Sequence, residues 1–388
     1  MTAFDAPFVR KYLIPGAVYQ SVLVGGGYGT GREIVEYFTR FGAGGGVFGI
    51  GVTFVCWMLV LAVTWEFARV FHVYDYRSFF KELLGRGWVA FEILFLAMFV
   101  IVLAVVASAA GEILQTRFGI PFGAGIALML VTVATLAFLG REVITRSLAL
   151  WTVLLYTMFI SYFVMSFRAD GPGIMTQLSG WEVGSGWAQS GFKYAMYNLF
   201  IVPAILFSTR ALESRREVAA SAAVAALICA VPALMFHISF LGTYPGIVQE
   251  AIPVFAVITS LGAGALLFLY LIALFGTFVE TGAGFIQGTI ERIDGVLKET
   301  EREPMRPGQR AALATGALAL CAAVATFGII PLVARGYGTL AWGAVAVYVV
   351  PVMTLGVVRL KKVGLRAGGP TVPAPGVEGT NGQGDADA

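Results

Sequence analysis

The stretch Leu13–Phe41, LIPGAVYQSVLVGGGYGTGREIVEYFTRF, decides the fold. It opens as a hydrophobic helix, Leu13 to Val24, and then packs Gly25, Gly26, Gly27, Gly29 and Gly31 into a short run. The charged pair Arg32–Glu33 follows, and a second short helical pattern carries Ile34, Val35, Phe38 and Phe41. Neither half alone spans a hydrocarbon core of about 30 Å, whereas the two together do. The break therefore falls near mid-membrane, where irregular backbone is tolerated only inside protein or along a cavity. Discontinuous helices of this kind form substrate and ion sites in secondary transporters, because unwound amides and carbonyls are left free as ligands. A glycine hinge or a close helix crossing is the alternative use of the same residues.

The rest of the composition agrees with a membrane setting. Hydrophobic residues make up 58% of the 388 residues and charged residues 13%, and the mean hydropathy is +0.82. A soluble protein carries about twice that share of charge. The net charge of +3 arises from loop residues and carries no nucleic-acid signal. Cys56, Cys229 and Cys321 each lie inside an apolar run, without disulfide or metal-ligand spacing, and read as packing residues. His72 and His237 are isolated, so no His-based metal cluster is expected. Arg10–Lys11 precede an apolar run that leads straight into the glycine break, which is not the layout of a cleavable signal.

Working outward from the break, the chain divides into ten expected spans: 12–40, 44–68, 88–115, 122–140, 146–167, 191–211, 217–242, 259–291, 310–331 and 337–358. Polar stretches separate them at 168–190 and 296–309, and the amphipathic segment 71–86 is expected at the interface. The tail, 364–388, is rich in Gly, Pro and Asp and reads as disordered. Most of the 26 Lys and Arg residues then fall on the side of the termini, against Arg40, Arg117, Arg168, Lys193 and Arg335 on the other. Positive charge marks the cytoplasmic face, so both termini are expected in the cytoplasm and the protein in the plasma membrane.

A second interruption lies half a bundle away. Span six, GFKYAMYNLFIVPAILFSTRALESRRE, carries Asn198 and Pro203 inside its apolar run. Proline lacks the amide hydrogen and clashes with the preceding turn, so the helix breaks or kinks there. Interrupted segments in corresponding positions point to inverted repeats, here about 12–167 and 191–358 within one transporter domain, 1–363.

Ten spans with broken first and sixth helices and a long eighth span resemble the LeuT-type fold of the amino acid–polyamine–organocation superfamily. Within it, GGGYGTGREIVEYF (Gly25–Phe38) is similar to the G-A-G-F-A-S-G-Q-E signature of YkvI-type bacterial membrane proteins, with Arg32 where the signature has glutamine. The resemblance covers the topology of Leu13–Leu360, while the motif match is confined to span one. It implies an all-α, polytopic 5+5 inverted-repeat fold and membrane transport, and names no solute. In LeuT-type transporters the corresponding backbone binds an amino acid carboxylate and lends carbonyls to sodium, a role the resemblance assigns to the Gly25–Gly31 backbone.

Read from the residues, the amides of Gly25, Gly26, Gly27, Gly29 and Gly31, with the positive end of the second half-helix, suit an anionic group such as a substrate carboxylate. Tyr28 is placed to cap or gate that ligand. Tyr197 and Asn198 flank the second break, where an amide with both donors and acceptors suits a polar ligand or caps freed backbone. Ionisable groups at membrane depth default to function. Glu33 is accordingly a ligand or proton group, or else a helix cap. Thr277, Glu280 and Thr281 share one face of span eight by their spacing, and Gly284 and Gly288 continue it, allowing close approach of another helix. In the resembled fold this face supplies hydroxyls to a sodium site, and the carboxylate at Glu280 suits a proton-coupled carrier instead. Na+ or H+ is thus the expected coupling ion, with no other cofactor.

Glu66, Glu92 and Glu112 fall toward span ends, and His237 reads as a satisfied packing residue. Gly44–Gly49 spells G-x-G-x-x-G, but it enters a membrane helix with no strand before it, so it is packing or loop. No GxSxG, HExxH or His/Asp cluster supports an enzyme, and a channel would want an ion-lined pore. The expected function is a secondary active transporter of a small solute, an amino acid or related carboxylate, working by alternating access in the lipid bilayer. A transporter-fold sensor or scaffold is the alternative.

Overall fold

Two interruptions organise the chain, and each follows from its local sequence. In the computed structural model, which describes residues 6–139, 141–299, 301 and 303–367, a π-helical turn (Val9–Leu13) leads into α1 (Ile14–Leu23). The helix stops at Val24, where ψ swings to 69°. A single turn, α2 (Gly26–Gly29), and the left-handed Gly31 (φ 80°) separate it from α3 (Arg32–Tyr37). A left-handed φ is open to glycine without Cβ strain. In span six, α9 (Trp187–Leu199) gives way at Phe200 to a 3-10 segment, Val202–Thr209, with a bend of 63°. Pro203 lies in the first turn of that segment, the one place where its missing amide leaves no hydrogen bond unmade.

The intervening elements are α4 (Gly42–Phe71), α5 (Tyr76–Leu84), α6 (Trp88–Phe118), α7 (Phe122–Leu139) and α8 (Arg141–Gly180). After the second break come α10 (Arg215–Leu241), α11 (Pro253–Ser260), α12 (Gly264–Glu299) and α13 (Pro307–Ala325). A last helical run, Ile329–Val363, alternates α and π turns, and its final helix extends to Ala367. Among the described residues, six helices are long and apolar enough to cross a membrane, and the bent pair in span six makes a seventh. No strand occurs among the described residues. Phe268, Ile93, Val131 and Phe207 point outward from the bundle, as lipid-facing side chains do.

Capping explains several boundaries. Asp75 accepts from the Arg77 and Ser78 amides at 3.1 and 2.9 Å and so starts α5. Ser214 and Glu217 form a capping box at the start of α10.

Several boundaries differ from the sequence reading, among them that between spans nine and ten, expected at 331 and 337, where α13 ends at Ala325 and the last run already begins at Ile329. The stretch from 168 is helical as far as Gly180, with a kink at Asp170 beside Pro172, because a polar composition does not by itself prevent a helix. Span eight begins at Gly264 rather than 259, since α11 is a separate short helix, and it ends at Glu299 rather than 291. The last helix includes the first residues of the tail expected from 364, and 368–388 lie outside the described residues.

Small residues set the closest helix crossings. A Cβ on Gly191 would lie 2.2 Å from the Gly49 carbonyl oxygen, and the Thr53 hydroxyl donates to the Gly191 carbonyl at 2.9 Å across the same α4–α9 contact. A Cβ on Gly46 would meet the His237 ring at 2.2 Å. His237 is fully buried and shares hydrogen bonds with Thr39 Oγ1 and the Ala43 carbonyl, both at 3.0 Å, as a satisfied packing residue. The glycines of Gly44–Gly49 therefore serve packing. Gly191→Leu is expected to destabilise the protein by about 1–3 kcal/mol through overpacking, read as a lower melting temperature in detergent. An unchanged melting temperature would mean that the α4–α9 crossing is not close-packed.

Candidate functional site

The two breaks meet. The Tyr197 hydroxyl, from the last turns of α9, donates a short hydrogen bond to Glu33 Oε2 in the first turn of α3. Glu33 and Tyr197 are both buried. The Tyr28 backbone amide also donates to the Glu33 carboxylate. A Cβ on Gly27 would fall 2.1 Å from Glu33 Oε1, so the side chain rests directly on the turn of α2.

Beside this junction lies a cavity of about 330 Å³. Its walls come from α1 (Ser21 to Leu23) and the following Val24, from α6 (Phe95, Met98, Val102), and from Tyr197, Asn198 and Ile201 at the second break. The remaining wall is the face of α12 that carries Thr277, Thr281, Gly284, Phe285, Gly288 and Arg292, with Tyr337 from the last run and Glu33 itself. From Thr277 to Arg292 this face runs roughly 22 Å along the helix.

One end of the bundle is closed over the break. Arg32, 1% exposed, donates through Nη1 to the carbonyls of Val248 and Glu250 at 2.8 and 2.9 Å, and through Nη2 to Glu36 at 2.6 Å. The Val254 amide donates to the Thr30 carbonyl at 3.1 Å. The segment 246–260 is thereby seated on α3. At the other end Arg292 stands at the lip of the cavity. Its guanidinium lies 3.5 Å from the Phe95 ring centre and 4.1 Å from that of Tyr76, and pairs with Glu92 at 3.4 Å.

The structure brings Glu33, Tyr197, Asn198, Thr277 and Thr281 to this one cavity, and the backbone of Glu280 lies on α12 between the two threonines. The Glu280 side chain lies outside the described residues. The glycines are placed differently from an open cradle. Gly29 abuts Leu274 Cδ1, at 2.9 Å from a built Cβ, and Gly31 abuts Phe240 and Val254. Gly25 faces open space, and Gly26 belongs to the α2 turn. The Tyr28 ring is fully buried against Phe236 and Phe159, on the α8–α10 side. Around Gly284 and Gly288 a Cβ would meet nothing within 4 Å, so these glycines line the cavity and do not bring another helix close. That corrects the expected role of this pair, since spacing shows the face and not what stands opposite it.

Sequence reasoning missed Ser21, Phe95, Met98, Tyr337 and Arg292. Tyr337 stacks on Tyr197 at 4.7 Å, and only tertiary packing reveals such a partner. Arg292 lies four residues beyond Gly288, so extending the small-residue face by one turn would have found it. Glu66 pairs with Arg69 at 2.8 Å, and Glu92 with Arg292, which accounts for both.

No protein-family model matches the chain, and no curated protein matches it in sequence. Solved structures do. A Na+-coupled sialic acid symporter in a substrate-bound outward-open state is similar at a TM-score of 0.60 and 14% identity, over 94% of this chain and 86% of that one. Variants of the Eremococcus coleocola manganese transporter are similar at a TM-score of 0.50 and 15% identity, over 96% and 91%. The chain thus has the all-α, LeuT-like transporter fold.

Two substitutions separate the roles at the first break. Gly27→Ala places a methyl against the Glu33 carboxylate and is expected to lower the melting temperature, whereas Gly25→Ala opens onto free space and leaves it within a degree or two. Equal effects would remove Glu33 from the turn. Replacing Arg32 by Gln leaves Glu36 paired with Arg40 but takes the guanidinium away from the Val248 and Glu250 carbonyls, a change expected to cost about 1–3 kcal/mol. It should also expose a cysteine placed at Val254 to an impermeant thiol reagent. No gain in labelling would mean that Arg32 does not hold segment 246–260 down.

Proposed function

We propose that this chain is a secondary active transporter of a small solute, coupled to an ion or proton gradient and working by alternating access. One observation carries the reading: both broken helices converge, through Tyr197 and Glu33, on a cavity bordered by Arg292, while Arg32 holds segment 246–260 over the first break. A static cap or scaffold has no need of interrupted helices around a void, and irregular backbone at this depth fits a binding site.

In this reading the first broken run, α7 and α8 join the other spans to make ten, arranged as two inverted repeats with both termini in the cytoplasm of a plasma-membrane protein. The solute meets Tyr197, Asn198 and the region of Gly25–Gly31. Glu33, Thr277, Glu280 and Thr281 serve coupling, and Glu33, which lines the cavity, is also within reach of the solute. An amino acid or a close relative suits a cavity of this size, which exceeds the volume of one such molecule and leaves room for water. The lead over a sensor is decided by flux.

Purified protein in liposomes should accumulate a bound solute under an imposed pH or sodium gradient, and should saturate. Glu280→Gln is expected to abolish accumulation while preserving binding and exchange. Should wild-type protein bind solute yet never move it against a gradient, the sensor reading replaces this one. Should Glu280→Gln accumulate as well as wild type under both gradients, Glu280 is structural.

A further inference from the structure

We infer that the solute engages this cavity through a positively charged amine held by Glu33, and that a solute carboxylate is not held by the glycine amides. This deepens the transport reading and rests on it only for the word solute.

The anion position at the first break is already filled from within the chain. A Cβ on Gly27 would lie 2.1 Å from Glu33 Oε1 and 2.9 Å from its Cδ, which leaves no layer between carboxylate and turn. The Tyr28 amide points its hydrogen at the same carboxylate. A second carboxylate would have to displace the first or share its site, and like charges at that spacing repel.

Among the described residues Glu33 also has no cation beside it. The two arginines nearest in sequence, Arg32 and Arg40, both pair with Glu36. Among the described residues no Lys, Arg or His bonds to Glu33. Buried carboxylates are either paired with a cation or neutralised by a proton, so an ionised Glu33 takes its partner from outside the chain. A carboxylate has about four lone-pair positions. The Tyr197 hydroxyl and the Tyr28 amide use two, and the cavity borders the rest.

Two hydroxyls and one amide in the wall also offer acceptors. The Thr277 hydroxyl donates to the Ala273 carbonyl at 2.9 Å, and the Ser21 hydroxyl donates to Val18 at 2.8 Å. The Asn198 amide donates to the Tyr194 carbonyl at 3.0 Å. With their one hydrogen spent on backbone, the Thr277 and Ser21 hydroxyls present lone pairs, and the Asn198 amide, which keeps a second hydrogen, offers its carbonyl oxygen as well, so all three can accept from an ammonium. Phe95, Tyr197 and Tyr337 add aromatic rings, which attract cations. Arg292, the cation in the described wall, is engaged at the lip by Glu92 and two rings.

Matched probes test this on the full-length purified protein. Each set keeps one skeleton: phenethylamine, phenylalanine and 3-phenylpropionate, then butylamine, norvaline and pentanoate. Binding is read by thermal shift and calorimetry in potassium chloride, and again in sodium chloride. The amine and the amino acid of at least one set should bind, with the acid at least tenfold weaker. Glu33→Gln should weaken amine binding at least tenfold. If that variant does not fold, Glu33→Asp, which keeps the charge, should retain the order of amine over acid.

The inference is overturned if an acid binds as tightly as its amine, if Glu33→Gln binds amines like wild type, or if no amine binds at all. Stabilisation by sodium alone, with no added effect of any amine, overturns it too and gives the site to a metal cation. Wild type that binds amines but never accumulates them keeps this inference and removes transport. Gradient-driven accumulation of acids with no amine binding keeps transport and removes this inference.

Discussion

The hydrogen bond from Tyr197 to Glu33 joins the two places where the backbone leaves helical geometry. Within a bilayer an unmade backbone hydrogen bond costs several kcal/mol, so an interrupted helix persists only where other groups take over its partners. Here the substitutes are local and specific. Thr30 Oγ1 donates to the Gly27 carbonyl at 2.7 Å, and the Tyr270 hydroxyl reaches the Gly29 carbonyl from α12 at 3.3 Å. Glu33 takes the Tyr28 amide and the Tyr197 hydroxyl together. The ring stack of Tyr197 on Tyr337 carries the connection to the last helical run, where Tyr37 also donates to the Val333 carbonyl at 3.0 Å. Any motion that parts α3 from α9 must break this junction first.

The closed end is built on a different principle. Arg32 is fully enclosed and spends its donors on two carbonyls and one carboxylate, while its Nε hydrogen finds no partner. Burying an ion pair is close to neutral in net free energy, because desolvation offsets attraction, yet removing one member is strongly unfavourable. Such a seam gives specificity of closure without great stability. Two of its bonds go to backbone carbonyls of 246–260, so the segment is held by position and not by side-chain identity.

Much of this was legible from residue order alone. Five glycines around Tyr28 and a proline after Asn198 each violate helix geometry in an apolar run, and both breaks lie where they were expected. The Thr277–Gly288 face was legible because side chains three and four apart share a helix face. Partners across the bundle were not. Nothing in the spacing of Glu33 says that its carboxylate folds back onto Gly27, because that contact depends on the left-handed turn at Gly31. Tyr28 lay in the loop by sequence, but its ring is large and apolar and found the α8–α10 core instead. The short helix α11 escaped notice because its composition matches the span that follows.

Glycine on α12 shows why pattern and meaning separate. Gly282 faces the bundle, where an added Cβ would meet Val133 at 2.7 Å and Leu103 at 2.9 Å, so its smallness permits a close crossing. Gly284 and Gly288 lie on another face of the same helix and have nothing within 4 Å. Packed interiors tolerate few voids, since an unfilled space forfeits dispersion contacts on its lining. A void kept open by two glycines one turn apart, opposite Ser21 to Leu23 of α1, is therefore a surface that some other atoms occupy part of the time. In the transport reading those atoms are a bound molecule's, and a side chain at either glycine would take up the same space.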